Sequence, residues 1–234
     1  TAYKLYNHIS TWNTEYITDM SGIFSNKINF NDDISNWNVS NVNYMYEMFC
    51  GASSFDQPLE NWDVSNVIDM ECMFKNAKSF NQPINNWNVS NVKDMESMFK
   101  NAKCFNQKLN NWNIRNVYNM RYMFNGANSF SQSLSNWNIS NVKIMDGIFL
   151  NTYFFDESIK QWNTNKVLKI HVNKIYSFNK TYINKVIIHQ IIKENDINLI
   201  KNNPILLLPT EIILYILNFT TIKELLLFSN LSLD

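Results

Sequence analysis

Tryptophan occurs seven times in this chain, at Trp12, Trp37, Trp62, Trp87, Trp112, Trp137 and Trp162, and each follows the last by 25 residues. The ten methionines obey the same register: Met20, Met45, Met70, Met95, Met120 and Met145 lie eight residues after a tryptophan, and Met48, Met73, Met98 and Met123 lie eleven after one. A strict period of this length marks an array in which one unit cannot bury its apolar face alone and stacked neighbours supply the core.

Within one unit the pattern changes period. Trp87 and Val89 alternate with Asn86, Asn88 and Ser90, the spacing of a short half-buried strand. Val92, Met95, Met98, Phe99 and Ala102 then follow at the spacing of an amphipathic helix. Ser90 and Asn91 stand where an N-cap oxygen is wanted, and Asp94 adds charge to the first turn. Fourteen residues after each of the first six tryptophans only Asn or Gly occurs (Asn26, Gly51, Asn76, Asn101, Gly126, Asn151), the two residues that most readily close a helix in the left-handed conformation. Phe80 and Ile84, with Phe55 and Leu59 or Phe105 and Leu109 in other units, complete the core. The fold class expected is α/β: a right-handed solenoid with one short parallel strand and one helix per unit.

Three domains are expected: a repeat solenoid over 1–170, a helical cap or linker over 171–204, and a helical segment over 205–234. Composition shifts near residue 171, where Trp and Met give way to Ile and Leu, and Ile183, Val186, Ile187, Ile191 and Ile192 mark one helical face.

Twenty basic and twenty acidic side chains cancel, so charge gives no reason to expect nucleic acid as a partner. Cys50, Cys72 and Cys104 are odd in number and fall at three different places in the repeat, which argues against a disulfide framework or a zinc site. His8, His171 and His189 lack a second ligand at metal spacing, and four glycines leave no phosphate-binding loop. Neither a cofactor nor a catalytic site is expected, and the chain reads as non-enzymatic. The stretch 205–219 is short and interrupted by Pro209 and Glu211, so no membrane span is expected. The first thirty residues show no signal-peptide pattern.

The segments Trp62-Asp-Val-Ser-Asn-Val-Ile-Asp-Met70 and Met73-Phe-Lys-Asn-Ala-Lys-Ser-Phe-Asn-Gln-Pro-Ile84 resemble the BspA-like leucine-rich-repeat family over about residues 9–170. The resemblance implies a leucine-rich-repeat-like solenoid that holds a protein partner. Candidate binding residues on the open sheet face are Asn38, Asp63, Asn88, Asn113 and Asn138, with Asn36, Asn61, Asn86, Asn111 and Asn136 beside them; coil-to-coil hydrogen bonding is the competing role. Asp69, Glu71, Asp94, Glu96 and Asp146 read as helix-dipole complements and solvated charge. Lys75, Lys78, Lys100 and Lys103, and Tyr44, Tyr46, Tyr118 and Tyr122, mark the more variable surfaces.

The tail Leu208-Pro209-Thr-Glu211-Ile212-Ile213-Leu214-Tyr215-Ile216-Leu217-Asn-Phe219, then Ile222-Lys-Glu224-Leu225-Leu226-Leu227-Phe228-Ser229, reads as two amphipathic helices. Pro209 suits a first turn, and Thr221 with Glu224 forms a capping box. The tail resembles a shortened C-terminal F-box, an arrangement known behind repeat arrays in large DNA viruses of eukaryotes. That resemblance implies a substrate-recognition subunit of a cullin-RING ubiquitin ligase in the host cytoplasm. Leu208, Pro209, Glu211, Ile212, Ile216, Leu217, Leu225 and Leu226 would contact the Skp-type adaptor. The alternative is a surface or adhesive repeat protein whose tail is a hydrophobic cap on the solenoid.

Overall fold

The period of the sequence becomes a period in space. The computed structural model of the chain describes residues 7–152 and Trp162. Parallel bridges join Asp19 to Tyr44, Tyr44 to Asp69, Asp69 to Asp94, Asp94 to Asn119 and Asn119 to Ile144, so each 25-residue coil lies in register on the next. The domain boundaries near 170 and 204, and the tail residues from Leu208 to Leu226, lie outside the described residues.

The secondary structure of a unit differs from the expected strand and helix. Among the described residues the helical element is a single 3-10 turn, Ile9–Thr11, and the parallel pairing consists of isolated bridges. Those bridges fall seven residues after the tryptophan, inside the segment whose apolar spacing had suggested a helix. In place of that helix runs a ribbon of overlapping turns. The N–H groups of Met45, Glu47, Phe49 and Gly51 donate to the carbonyls of Asp69, Glu71, Met73 and Lys75 on the next coil, at 3.0, 2.9, 2.9 and 2.7 Å. Between them, the N–H groups of Met48, Cys50 and Ala52 donate within the coil to Met45, Glu47 and Phe49, at 3.2, 3.0 and 3.0 Å. An α-helix would spend every one of these donors on the carbonyl four residues back and leave none for the neighbour. Here four of the seven stitch the stack.

The ribbon requires left-handed backbone twice per coil. One site is the Asn/Gly position, as at Asn76 (φ 60°) and Asn101 (φ 58°). The other lies four residues earlier, at Glu47 (φ 52°), Cys72 (φ 57°), Ser97 (φ 56°) and Tyr122 (φ 54°). Each such non-glycine residue costs about 1–2 kcal/mol. Four inter-coil hydrogen bonds at about 0.5–1.5 kcal/mol apiece, and the packing they permit, offset that cost.

Inside the stack, each apolar class forms its own column. Trp62, Trp87 and Trp112 are 3% exposed, while Met70, Met73, Phe74 and Phe80 are fully buried. Trp87 stacks on Trp112 at 6.5 Å and 3° between planes, and Phe74 on Phe99 at 5.7 Å and 5°. Within a coil Phe74 lies 4.0 Å from Phe80, which ties the two phenylalanine columns together. Every indole N–H from Trp37 to Trp162 donates to the carbonyl 28 residues earlier, so the buried polar atom of each tryptophan is satisfied by the preceding coil.

Candidate interaction surface

Three rows of amide side chains belong to the framework. Asn38, Asp63, Asn88, Asn113 and Asn138 are exposed and in register, and each Oδ1 accepts the N–H two residues on, from Ser40, Ser65, Ser90, Arg115 and Ser140. They are turn-forming residues of their own coil. Among the described residues the parallel bridges run through other positions, seven residues after the tryptophan. At Asp63 the Ser65 hydroxyl first, and then the Ser65 N–H, lower the carboxyl pKa. Of the neighbouring amide row, Asn111 donates its main-chain N–H to Asn85 Oδ1 at 3.1 Å and accepts Asn110 Nδ2 at its Oδ1 at 3.3 Å.

Coil-to-coil bonding is done by other amides. Asn66 donates to the Ser40 carbonyl at 2.7 Å, Asn91 to Ser65 at 2.8 Å and Asn116 to Ser90 at 2.7 Å. On another face the Asn81 N–H donates to Asp56 Oδ1 and the Asn106 N–H to Asn81 Oδ1, both at 2.9 Å, while Gln107 reaches the Asn81 carbonyl at 2.8 Å. Ser90, Asn91 and Asp94, expected as helix-starting residues, take turn and ladder roles: the Ser90 hydroxyl donates to Asn88 Oδ1 at 2.7 Å and Asp94 Oδ1 accepts the Glu96 N–H at 2.8 Å.

Residue type varies along the turn ribbon. Seven and nine residues after each of the first six tryptophans stand, coil by coil, Asp19 and Ser21, Tyr44 and Tyr46, Asp69 and Glu71, Asp94 and Glu96, Asn119 and Arg121, then Ile144 and Asp146. The bridges run through the first residue of each pair, so the pairs lie side by side along the stack. The acidic pairs are more than solvated charge: Asp69, Glu71, Asp94 and Glu96 are all partly buried, and Asp146 is 2% exposed. Burial first, and then Asp94, Glu96, Asp69 and Glu47, push Glu71 up to about 7. Burial, then the Asp94 charge, also outweighs the Glu71 N–H to raise Asp69.

Neighbouring side chains close this acidic strip on one side. Asn119 Nδ2 donates to Asp94 Oδ2 at 3.1 Å and to Glu96 Oε2 at 3.0 Å, and the Tyr118 hydroxyl donates to Asp94 Oδ2 at 3.1 Å. Beyond them Arg121 lies 3.8 Å from Asp146 and stacks over Tyr122, which Lys100 also covers at 4.7 Å. On the other side Tyr44 and Tyr46 are 44% and 38% exposed. Asn119 was not singled out by sequence reasoning; its signal is that it shares a register with Asp94. Lys78 and Lys103 are exposed and Lys75 and Lys100 half-buried, and the carbonyls of the latter two accept the ribbon N–H groups of Gly51 and Asn76.

Burial raises the Cys50 thiol and takes Cys72 up to about 12, so both stay protonated at neutral pH. Among the described residues no set of His, Cys, Asp or Glu is arranged to hold a metal ion, and no helix is long and apolar enough to cross a membrane.

A family model described as "Mycoplasma protein of unknown function, DUF285" matches residues 1–110 and, in a second overlapping stretch, 84–186. Neither a curated protein nor a solved structure matches the chain.

Proposed function

Starting from the fact that the chain belongs to the DUF285 family of repeat proteins, we propose that it is a non-enzymatic protein-binding scaffold whose turn ribbon contacts the partner. One observation carries this reading. Core and ladder positions repeat almost unchanged from coil to coil, whereas the ribbon pairs Tyr44 and Tyr46, Asp69 and Glu71, and Asn119 and Arg121 differ. A framework position answers to its neighbours in the stack; a position free to vary on a rigid support can answer to a ligand. The winding is taken as right-handed, like other connections between parallel segments of one sheet. Asn38, Asp63, Asn88, Asn113 and Asn138 are assigned to the turns that support this surface.

The test is affinity capture with the intact protein from its native cell, run beside a variant carrying Tyr44→Ala, Tyr46→Ala and Glu96→Lys. A partner identified with the natural protein and lost with the variant supports the ribbon as the contact surface. An identical partner set from both sinks it.

The tail favours a more specific version of the scaffold. Leu208, Pro209, Glu211, Ile212, Ile216, Leu217, Leu225 and Leu226 match the order of an F-box, so the chain would bring its partner to a cullin-RING ligase in a host cytoplasm through a Skp-type adaptor. The competing version is a surface or adhesive protein with a hydrophobic cap. Purified adaptor distinguishes them: binding by the intact chain that disappears on deleting 205–234 supports the ligase version, and no binding leaves the cap.

A further inference from the structure

The first described coil, residues 12–36, differs from its successors in one respect: in every later coil the same edge is covered. In the second coil the carbonyls of Tyr44, Tyr46, Met48 and Cys50 accept N–H groups from Met20, Gly22, Phe24 and Asn26. The corresponding carbonyls of the first coil belong to Asp19, Ser21, Ile23 and Ser25, and among the described residues no donor reaches them. Two donors flank this row. The N–H groups of Asn43 and Ser54 bond to the carbonyls of Thr18 and Ile28, at 2.8 and 3.1 Å, whereas their first-coil equivalents, the N–H groups of Thr18 and Asn29, have no acceptor among the described residues.

The apolar surface tells the same story. Ile17 and Ile23 are 39% and 40% exposed, while Val42 and Met48, which hold the same places one coil later, are fully buried. Ile28 beside them is 59% exposed. Four acceptors in a row, a donor at each end and isoleucines between them form an edge of defined polarity and spacing.

We infer that this edge, residues 17–29, is a docking surface for one further coil of the same 25-residue repeat class, joined by the same bonds that join the described coils. Polarity selects the occupant. Two copies of this edge brought face to face would oppose carbonyl to carbonyl, which excludes symmetric pairing. A generic extended strand offers donors at alternate residues but does not follow the ribbon through its two left-handed turns. The donor edge of a repeat coil has both features, as the second coil shows with Met45, Glu47, Phe49 and Gly51. Residues next to the site already keep that register: the Ile9 carbonyl accepts the Trp37 indole at 2.9 Å, as the Ile34 carbonyl accepts that of Trp62 at 3.3 Å. This inference concerns the end of the stack and stands apart from the partner-binding role of the ribbon.

The experiment fuses a copy of residues 62–75 directly before Thr1 of the full chain, which places Thr1 fourteen residues after the copied tryptophan and completes a unit. The control carries Met70→Ser, Met73→Ser and Phe74→Ser in the copied segment only. With docking, the copied amides of Met70, Cys72 and Phe74 exchange hydrogen at least about tenfold more slowly than in the control. The thermal midpoint also rises above that of the unextended chain, and Ile23→Asp removes both effects. Equal exchange in extension and control, with an unchanged midpoint, overturns the inference.

Discussion

The indole N–H of Trp87 and the backbone N–H of Trp62 meet at one acceptor, the carbonyl oxygen of Leu59, at 2.9 and 3.1 Å. One bond closes a turn within its coil, and the other fastens the next coil to it. Trp87→Phe keeps an aromatic ring in the column and leaves Leu59 its in-coil donor, so it is expected to cost the net value of one hydrogen bond, about 1 kcal/mol, plus a packing loss. Trp87→Ala also opens a cavity and is expected to cost about 3–5 kcal/mol. Urea unfolding of the two variants checks the order. Hydrogen exchange should place the weakening in the coils either side of Trp87, because stability in a stack is a nearest-neighbour property.

Gly51 has φ +73°, and a Cβ built there would lie 2.5 Å from Asn26 Oδ1 on the preceding coil. Gly51→Ala therefore combines left-handed strain with a contact that Asn26 must swing away to relieve, and is expected to destabilise by about 1–2 kcal/mol. Gly51→Asn installs the residue found at Asn76 and Asn101, where Asn101 Nδ2 donates to Asn76 Oδ1 at 3.0 Å, and is expected to recover part of that loss. Thermal unfolding of the two variants measures the difference.

Asn91 donates from Nδ2 to the Ser65 carbonyl at 2.8 Å. Asn91→Asp replaces that donor by an acceptor and sets two oxygens against each other, whereas Asn91→Ala only removes the bond. The aspartate variant is expected to be the less stable above pH 5, by about 1 kcal/mol or more, and to approach the alanine variant once its carboxyl is protonated near pH 3. Chemical denaturation at the two pH values reads this directly.

Glu71 is held at about 7 against an ordinary value of 4.5, by burial first and then by Asp94, Glu96, Asp69 and Glu47. A carboxyl whose folded pKa is raised binds its proton more tightly in the folded state. Its contribution is therefore most favourable below pH 4.5 and is lost as pH rises toward 7. Glu71→Gln is expected to raise the thermal midpoint at pH 8 and to change it little at pH 4. A Glu71→Gln midpoint below that of the natural protein at pH 8 would show that a cation-like contact, and not repulsion, dominates there.

The sequence by itself determined the 25-residue period, the inward residues and one of the two left-handed positions, since Trp, Met, Phe and Asn/Gly recur at fixed offsets and each signals its environment alone. Trp87, Met95, Phe99 and Phe105 are buried at the places the periodicity assigns them. The path of the backbone between those residues was decided only by tertiary structure. Val92, Met95, Met98, Phe99 and Ala102 fit a helical stripe as well as a turn ribbon, because both bring residues three and four apart to one side. What separates them is the destination of the alternate N–H groups. The donors at Met95, Ser97, Phe99 and Asn101 leave the coil for the carbonyls of Asn119, Arg121, Met123 and Asn125, acceptors that exist only once the next coil is in place. Glu47, Cys72, Ser97 and Tyr122 share a left-handed backbone but no residue type, and only Gly22 and Gly147, at the same place in their own coils, hint at that turn in the sequence. The same holds for the amide rows: Asn88 and Asn91 are chemically identical, and only the stack makes one a turn former and the other a tie between coils.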